Sequence, residues 1–346
     1  MTFDDLASRS ACWLNGSGDC SALVVSSRVR LARNLAQWPF PHRATIEQRQ
    51  KVVEAVVGSC GDALQAFFQT GSLSHLQRNL LVERHLISPA LIKRENQCGV
   101  IVGDDGHLSA MVNEEDHLRL QGIFPGLQPR AAWNAACGLE RFFADRLNFA
   151  FSDAWGYLTA CPTNTGTGLR ASVLIHLPGL VLTQDVDAVV RGITQMGFVV
   201  RGFFGEGTDT AGNMFQVSNQ ITLGRSESEL LDLLDQVVAQ LTVCENNARE
   251  TLWRDAQTKI EDKIWRALGL LKYARLLTSQ EFMNLSSAVR LGVGMGVLDS
   301  VSVRTLNELM VETQPAHLQY RTKQRLDAHT RDVLRAEWVR QRLVSS

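Results

Sequence analysis

The stretch CPTNTGTGLRASVLIHL, residues 161–177, decides the fold of the chain. Its second half, from Leu169 onward, is rich in apolar residues and predicts a β-strand. Its first half is either a phosphate-binding loop, to which Arg170 of the second half adds a positive charge, or an ordinary Gly/Thr turn between two strands. In the phosphate-binding interpretation, Gly166 and Gly168 let backbone N–H groups approach the anion. No Gly-Lys-Ser/Thr sequence follows, so the loop is not a Walker A motif.

Up to about residue 226, the chain alternates strand-like runs with amphipathic helices. Tight turns join adjacent strand candidates, which predicts a largely antiparallel sheet and an α+β fold class. Helices are predicted over residues 46–57, where Thr45 and Gln48 form a capping-box pair, and over 131–147 and 185–196. The strand candidates are ALVVSSRVRLARN, the hairpin CGVIVGDDGHLSAMV, GYLTAC, LRASVLIHL, GFVVRGFF and NMFQVSNQITL.

The rest of the chain has the pattern of helices. Ser226 and Glu229 form a second capping-box pair, and the helix that it opens is predicted to continue past Arg249 towards Leu268. LGVGMGVL, residues 291–298, has its glycines spaced GxGxG and follows no strand, so it is interpreted as a turn or a close helix contact. We predict one domain over residues 1–255 and a helical domain over residues 256–346.

Composition narrows the function classes. With 346 residues, 45% of them hydrophobic, the chain can bury a sizeable core, and its net charge of −1 argues against a broadly basic nucleic-acid binder. Seven cysteines without a CxxC pair predict neither a disulfide framework nor a zinc site, and they fit a reducing cytoplasm. No signal-like apolar segment and no run of about 18 apolar residues occurs, so we expect neither export nor a membrane span.

Three further motifs carry charged groups. NEEDHLR, residues 113–119, contains three adjacent carboxylates. They form either a solvated turn or a metal site, for which the motif is only weak evidence. In RGFFGEG, residues 201–207, a carboxylate between glycines lies at a loop tip or points into a cleft. In SSRVR, Arg28 and Arg30 point to the same face about 7 Å apart. That spacing suits neighbouring phosphates, although a solvent-facing edge strand has the same pattern.

Together and in this order, SSRVRLARN, ERHLISP, NEEDHLRLQ, CPTNTGTGLRASV and RGFFGEGTDTAGNMFQVSNQ resemble the guanidino (phosphagen) kinase family. Within the family, the chain is most similar to the bacterial protein arginine kinases of the McsB type. The resemblance covers nearly the whole chain. It implies a catalytic domain, residues 1–255, built on a curved, mainly antiparallel sheet flanked by helices. The helical domain, residues 256–346, would then serve phosphoarginine binding and dimerisation.

The resemblance also implies the cofactors and the site residues. ATP and Mg²⁺ are expected, with the metal bound through ATP and no metal site in the protein itself. Glu115 and Glu206 are implied to orient the acceptor guanidinium and take its proton, with Cys161 assisting beside it. A buried structural cysteine is the alternative for Cys161. The residues implied in ATP binding are Ser26, Ser27, Arg28, Val29, Arg30, His85, Arg119, Arg170, Ala171, Ser172, Val173, Leu174, Arg201, Gly202, Phe203, Phe204, Gly205 and Glu206.

RDVLRA, residues 331–336, is a second candidate site. Arg331 and Arg335 share a helix face at i and i+4, which by itself is typical of a solvated, salt-bridged face. The resemblance instead implies that Arg331, Asp332 and Arg335 form an allosteric phosphoarginine-binding element.

The expected activity is ATP-dependent phosphorylation of arginine side chains in proteins. Small-substrate members of the family carry a helical N-terminal domain, whereas SSRVR begins at Ser26 here, so we expect a site open to an arginine within a protein. The product is expected to mark proteins for a Clp-type protease. Expected partners are a stress-response repressor, an activator protein and a second copy of the chain. The alternatives are a kinase for free arginine or another small guanidine, and a catalytically silent phosphoarginine reader.

Overall fold

The computed structural model describes residues 1–60, 66–94, 96–202 and 211–344. Within these residues the α-helices are α1 (Phe3–Ser8), α2 (Ile46–Ser59), α3 (His75–Glu83), α4 (Pro89–Ile92), α5 (Pro129–Ala144), α6 (Pro178–Leu182), α7 (Val186–Gln195), α8 (Glu227–Tyr273), α9 (Ser279–Gly294), α10 (Val303–Glu312), α11 (Pro315–Thr322) and α12 (Ala328–Val344). The strands are β1 (Val24–Arg33), β2 (Ala66–Gln69), β3 (Gly99–Val102), β4 (Leu108–Val112), β5 (Leu118–Pro125), β6 (Phe151–Ser152), β7 (Gly156–Tyr157), β8 (Leu169–His176), β9 (Phe198–Gly202) and β10 (Met214–Asn219).

In the described part of the chain, eight strands form one sheet in the order β2-β3-β4-β5-β1-β8-β10-β9. Each neighbouring pair is antiparallel, which confirms the predicted α+β class and its mainly antiparallel sheet. β1 lies inside the sheet between β5 and β8, so the edge-strand interpretation of SSRVR is wrong. GYLTAC contributes only the two residues of β7, which pair with β6 in a separate ribbon.

The two faces of the sheet differ in polarity because side chains alternate along each strand. Val29 and Leu31 in β1, and Ala171 and Val173 in β8, lie in the main hydrophobic core under helices α2, α5 and α8. The residues between them point to the opposite face, where β1 and β8 present arginines. The alternation therefore separates a helix-covered core from a polar face.

The predicted helix starts are confirmed by their caps. Thr45 with Gln48 and Ser226 with Glu229 each form a complete capping box, at the starts of α2 and α8. The helices predicted over residues 131–147 and 185–196 correspond to α5 and α7. None of the helices in the described ranges is both long and apolar enough to cross a membrane.

α8 connects the two parts of the molecule. Its 47 residues are interrupted at Ala256, where φ is −147°. Residues of α8 up to Ala248 pack in the main core under the sheet, and residues from Leu252 onward pack with α9, α10 and α12 in a second core. The predicted division between residues 255 and 256 falls at the interruption and stays a prediction. A Cβ on Gly292 would lie 2.5 Å from Ile264 Cγ2, so the glycine segment 291–298 is the close helix contact that its spacing predicts.

Candidate active site

A cleft of about 720 Å³ opens on the polar face of the sheet. It gathers residues from strands and loops that are far apart in the sequence. The predicted site residues that line it are Arg28, Arg30, His85, Glu115, Arg119, Cys161, Arg170 and Arg201.

Arginines form one wall of this cleft. Arg30 in β1 and Arg170 in β8 are direct cross-strand partners, an arrangement of like charges that destabilises a sheet without a counter-ion. Burial, followed by repulsion from Arg170 and Arg119, lowers the pKa of Arg28 to about 10. Burial and the neighbouring arginines, Arg28 first, hold the pKa of Arg30 well below its usual value. This wall is built to receive negative charge.

Arg28 and Arg30 also have unused hydrogen-bonding capacity. Each Nε is buried and has no hydrogen-bond partner among the residues that the structure describes. Within the same ranges, neither side chain forms a salt bridge with a carboxylate. Because an unpaired buried donor costs about 1–3 kcal/mol, these two guanidinium groups are expected to have a ligand.

Arg119 connects the arginine wall to the acidic motif. Its Nη1 and Nη2 lie 2.9 Å from Glu114 Oε2 and 2.9 Å from Glu115 Oε2, respectively. Glu114 is 4% exposed and also accepts a 2.6 Å hydrogen bond from Ser88 Oγ, whereas the Glu115 side chain is 43% exposed. Although burial raises it, Arg119 and Ser88 hold the pKa of Glu114 below its usual value. Both carboxylates line the cleft, but Glu114 is buried with both oxygens bonded, whereas Glu115 is the more exposed of the two.

The end of the acidic motif is buried and structural. Asp116 and His117 are both 0% exposed, so the solvated-turn interpretation of NEEDHLR is wrong. Asp116 Oδ1 accepts hydrogen bonds from Asn34 Nδ2 at 2.6 Å and from the N–H of Ala160 at 2.7 Å. Through Ala160, Asp116 holds the chain next to Cys161. Burial lowers the pKa of His117 to about 4, so the ring is neutral at pH 7.

Two backbone N–H groups of the loop before β8 are already bonded within the protein. Gly166 N–H donates to Tyr157 and Thr167 N–H to Thr222. A Cβ on Gly166 would lie 2.3 Å from the carbonyl oxygen of Thr222, and a Cβ on Gly168 would lie 2.7 Å from that of Ala32. Both glycines are therefore needed for close contact with neighbouring backbone, and because Gly168 also lines the cleft, the anion-binding interpretation of this loop stays a prediction. The positively charged side chain that follows this loop and lines the cleft is Arg170.

Cys161 lies at the start of this loop. It is partly exposed, and its Sγ is 3.0 Å from Thr163 Oγ1. Asn164, in the same loop, donates a long hydrogen bond of 3.4 Å from its Nδ2 to Glu115 Oε2. The loop therefore brings a thiol into the cleft that contains Glu115, and the assisting role of Cys161 stays a prediction.

His85 lies beneath the arginine wall. Its φ is +59°, its ring meets the edge of Trp13 at a centroid distance of 5.1 Å, and its carbonyl accepts a 2.9 Å hydrogen bond from Gln121 Nε2. Burial, followed by the charges of Arg28 and Arg30, lowers the pKa of His85 to about 3. A neutral imidazole adds no further positive charge below the arginines.

The other predicted nucleotide residues divide into groups. Ser26, Ser172 and Leu174 line a small pocket beside Arg28 and His85. Ser27 is fully buried and donates its hydroxyl to the carbonyl of Gly126. The side chains of Val29, Ala171 and Val173 lie in the main core, so only their backbone groups can reach a ligand on the polar face. Gly202 ends β9. Phe203, Phe204, Gly205 and Glu206 lie outside the described residues.

Comparison with known proteins gives this arrangement a family. Residues 47–248 match the model of the ATP:guanido phosphotransferase C-terminal catalytic domain. The chain belongs to this family. Residues 257–346 match the model of the protein-arginine kinase McsB C-terminal domain, so the resemblance seen in the sequence motifs is confirmed in both parts of the chain.

Relatives of this guanido phosphotransferase match it over nearly its whole length. The protein-arginine kinase of Pelotomaculum thermopropionicum is 44% identical over 335 residues, which cover 95% of this chain and 94% of the relative. The protein-arginine kinase of Desulforamulus reducens is 45% identical over 340 residues, with 96% and 95% coverage. The crystal structure of lombricine kinase is 25% identical, with a TM-score of 0.59 over 69% of this chain and 70% of that chain. The expected guanidino kinase fold is confirmed.

Some groups that shape the site of this guanido phosphotransferase were missed by sequence reasoning. Arg94 donates from Nη1 to the carbonyl oxygens of Asn113 and Glu114 and so holds the acidic motif from behind. Ser88, which binds Glu114, is the N-cap of α4. The Ser-Pro pair in ERHLISP is a helix-start signal that could have identified Ser88. No local signal identifies Arg94, because its partners lie about 20 residues away.

The two arginines of RDVLRA have different environments in this guanido phosphotransferase. Arg335 is 1% exposed, and its Nε and Nη1 donate to the carbonyls of Thr313 and Leu277 at 3.0 and 2.7 Å. A solvated face is therefore the wrong interpretation for Arg335. Arg331 lines a separate cleft of about 1480 Å³ between α3 and the segment α11–α12. Within the described residues, no group of three or more His, Cys, Asp or Glu side chains could hold a metal ion.

Proposed function

We propose that this protein is a protein-arginine kinase, which transfers the γ-phosphoryl group of ATP to arginine side chains in proteins. One observation carries the proposal: Arg28 and Arg30, whose Nε nitrogens are buried and which have no carboxylate partner among the described residues, line the same cleft as the exposed carboxylate Glu115. Two full-length relatives at 44% and 45% identity are named protein-arginine kinase, which supports a protein as the acceptor.

The arginine wall suits the nucleotide. Phosphoryl transfer needs positioning and charge compensation more than covalent help, and planar guanidinium groups bind phosphate oxygens in pairs. Arg28, Arg30 and Arg170 present their charges to one cleft. The Nε groups of Arg28 and Arg30 have no hydrogen-bond partner among the described residues. ATP brought as its Mg²⁺ complex supplies the phosphoryl group and a cation that offsets part of the phosphate charge. Arg119 and Arg201 complete the proposed clamp.

Glu115 suits the acceptor. A guanidinium group is cationic at neutral pH and must lose a proton as its nitrogen bonds to phosphorus. Glu115 has one carboxylate oxygen bonded to Arg119, which orients the group, and its exposure leaves it open to a second guanidinium. We assign it to orient the acceptor and take its proton. Glu206 is the proposed second carboxylate, and Cys161 the proposed thiol beside the acceptor nitrogen.

The experiment is a labelling assay. The protein is incubated with Mg-ATP and either an arginine-rich protein or free arginine, and phosphate on arginine is sought by mass spectrometry under non-acidic conditions. Phosphate on protein arginines supports the proposal. Phosphate on free arginine alone would identify a small-guanidine kinase. No phosphate on either, together with binding of phosphoarginine, would identify a reader.

A pair of isosteric variants tests the assigned carboxylate. Glu115→Gln keeps the size of the side chain and removes its ability to take a proton, so we expect labelling to fall at least about a hundredfold. Glu250→Gln makes the same change on the exposed surface of α8 and should label at the wild-type rate. Equal rates in the two variants would remove Glu115 from the mechanism.

Regulation and partners form the second part of the proposal. We assign Arg331, Asp332 and Arg335 to a phosphoarginine-binding element in which Arg331, which lines the cleft between α3 and α11–α12, contacts the ligand. Arg335, paired with Asp332 and bonded to the carbonyls of Thr313 and Leu277, holds this part of α12 in place. The phosphorylated products are proposed to be cytoplasmic substrates of a Clp-type protease, with a repressor among them and an activator protein as a partner. For the homodimer, Trp265, Tyr273 and Leu276 offer an apolar surface, with 54%, 75% and 51% of each residue exposed.

A further inference from the structure

Glu83, the last residue of α3, joins the catalytic part of the chain to the C-terminal helices. Its Oε1 accepts a 2.8 Å hydrogen bond from the N–H of Ala316, and its Oε2 accepts bonds from His317 N at 3.0 Å and His317 Nδ1 at 2.7 Å. The two backbone groups belong to the first turn of α11, where N–H groups have no partner within the helix. One carboxylate therefore caps a helix more than 200 residues away in the sequence.

The contact is shielded from water. The side chains of Glu83 and His317 are 12% and 8% exposed. Solvent screens such a pair less than it screens a surface ion pair, and the three hydrogen bonds fix the geometry of the carboxylate. The end of α3 is consequently held against α11 by a directional contact in addition to apolar packing.

The chain runs from Glu83 directly into the nucleotide half of the cleft. α3 ends at Glu83, Arg84 caps it, and His85 follows at a φ of +59°. A residue with a side chain adopts such a φ only when its surroundings hold it there. The N–H of His85 donates to Val82 at 2.9 Å within the end of α3, and its carbonyl accepts from Gln121 of β5. The orientation of His85 therefore depends on where the end of α3 lies relative to the sheet.

We infer that Glu83 is a positioning residue through which the C-terminal helices hold His85, and with it the nucleotide half of the cleft, in place. The inference rests on the proposed function, because it takes this cleft to be the ATP site. It makes the affinity for ATP depend on a contact between α3 and α11, outside the cleft itself.

A second contact on α11 provides the matched control. The hydroxyl of Tyr320 donates to Asp4 Oδ1, which links α11 to α1 at an exposed position. Among the described residues, α1 contributes no side chain to the cleft. Asp4→Asn therefore makes the same carboxylate-to-amide change as Glu83→Gln at another contact of α11, on a residue that does not belong to the segment leading to His85.

The experiment measures the affinity of the full chain for a non-hydrolysable ATP analogue with Mg²⁺ by calorimetry. Glu83→Gln keeps the shape of the side chain but cannot accept all three hydrogen bonds, and we expect Kd for the analogue to rise about tenfold. Labelling at saturating ATP should stay within about twofold of wild type, because Glu83 does not touch the reacting groups. Asp4→Asn should change neither quantity.

A second variant guards against loss of folding in the first. His317→Ala removes the imidazole bond and leaves both backbone N–H groups, so we expect a smaller rise in Kd in the same direction. Unchanged affinity in both Glu83→Gln and His317→Ala, or an equal loss in Asp4→Asn, would overturn the positioning role. Absence of analogue binding by the wild-type protein would instead overturn the proposed function and the inference together.

Discussion

Arg28 in β1 and Arg335 in α12 both have a buried Nε nitrogen, yet the protein uses the two arginines in opposite ways. Arg335 Nε and Nη1 donate to two backbone carbonyls, and Nη1 lies 2.6 Å from Asp332 Oδ1. Arg28 Nε has no hydrogen-bond partner among the described residues, and the charges around Arg28 are those of Arg119 and Arg170. A buried arginine with its donors filled holds a structure together, whereas one with open donors awaits a ligand.

The strongest test of this difference is Arg28→Ala. If Arg28 serves a ligand, the change should lower kcat/KM for protein labelling at least about a hundredfold, since it removes a charge from the proposed transition-state clamp. The melting temperature should not fall, because no described hydrogen bond of its Nε is lost. Arg225→Ala, on the exposed surface before α8, should keep wild-type activity. Retained activity in Arg28→Ala would break the comparison.

Arg335→Ala should have the opposite result. Removal of this guanidinium leaves the carbonyls of Thr313 and Leu277 and the carboxylate of Asp332 without their donor. We expect the free energy of unfolding, measured with urea, to fall by about 3 kcal/mol. Arg325→Ala removes an exposed arginine from the segment just before α12 and should stay within about 0.5 kcal/mol of wild type. A small loss in Arg335→Ala would show that its bonds are not structural.

The stabilisation that bound ATP gives to the folded protein provides a further test of whether Arg28 serves a ligand. Mg-ATP at a hundred times its Kd should add about 2.7 kcal/mol to the free energy of unfolding of the wild-type protein. At the same concentration the Arg28→Ala variant should gain almost nothing, because its affinity for ATP is lost. Thermal unfolding with and without Mg-ATP measures both values. An equal gain in the two proteins would place ATP elsewhere.

His117 resembles Arg335 in that its polar side-chain atoms are bonded within the protein, here both ring nitrogens. Because His117 can take up a proton, its contribution to stability depends on pH. Its pKa is lowered by burial to about 4, so the unfolded chain takes up the proton first as the pH falls. The stabilisation is complete above about pH 6.5 and is lost as the pH approaches 4. We expect His117 to account for about 2 kcal/mol of the stability lost between pH 7 and pH 4.5.

The measurement for His117 is a difference between two proteins. Urea unfolding at pH 7 and pH 4.5 is compared for wild type and His117→Asn, which keeps a polar group and cannot take up a proton. The variant should show the smaller loss on acidification. Equal losses would mean that other buried groups, such as His85, carry the pH dependence.

Arg331→Ala should have the smallest effect on stability. Within the described residues, the side chain of Arg331 makes one hydrogen bond, 3.0 Å to the carbonyl of Leu326, at the start of α12. We expect a change of about 0.5 kcal/mol in the free energy of unfolding, unchanged ATP affinity and weaker phosphoarginine binding. Calorimetric titration with phosphoarginine measures the last quantity. Unchanged phosphoarginine binding would remove Arg331 from the proposed regulatory element.

Much of the fold could be predicted from the sequence because the signals are local. The capping pairs Thr45/Gln48 and Ser226/Glu229 depend on residues three positions apart, and the strands on alternation along a short run. What local signals left open depends on distant backbone. Gly166 and Gly168 have the composition of an anion loop, but the carbonyls of Thr222 and Ala32 are what require them.

The sequence by itself determined the α+β class, the helix starts, the family motifs and the pairing of Arg28 with Arg30 on one face of a strand. Only the tertiary structure decided which charges are open to a ligand. Glu114 and Glu115 are adjacent, chemically identical and both bonded to Arg119, but Glu114 is buried and also bonded to Ser88, whereas 43% of the Glu115 side chain is exposed in the cleft. Local sequence sets where each side chain points along its own element, and the partners that satisfy or leave open a charge come from elements far away in the chain.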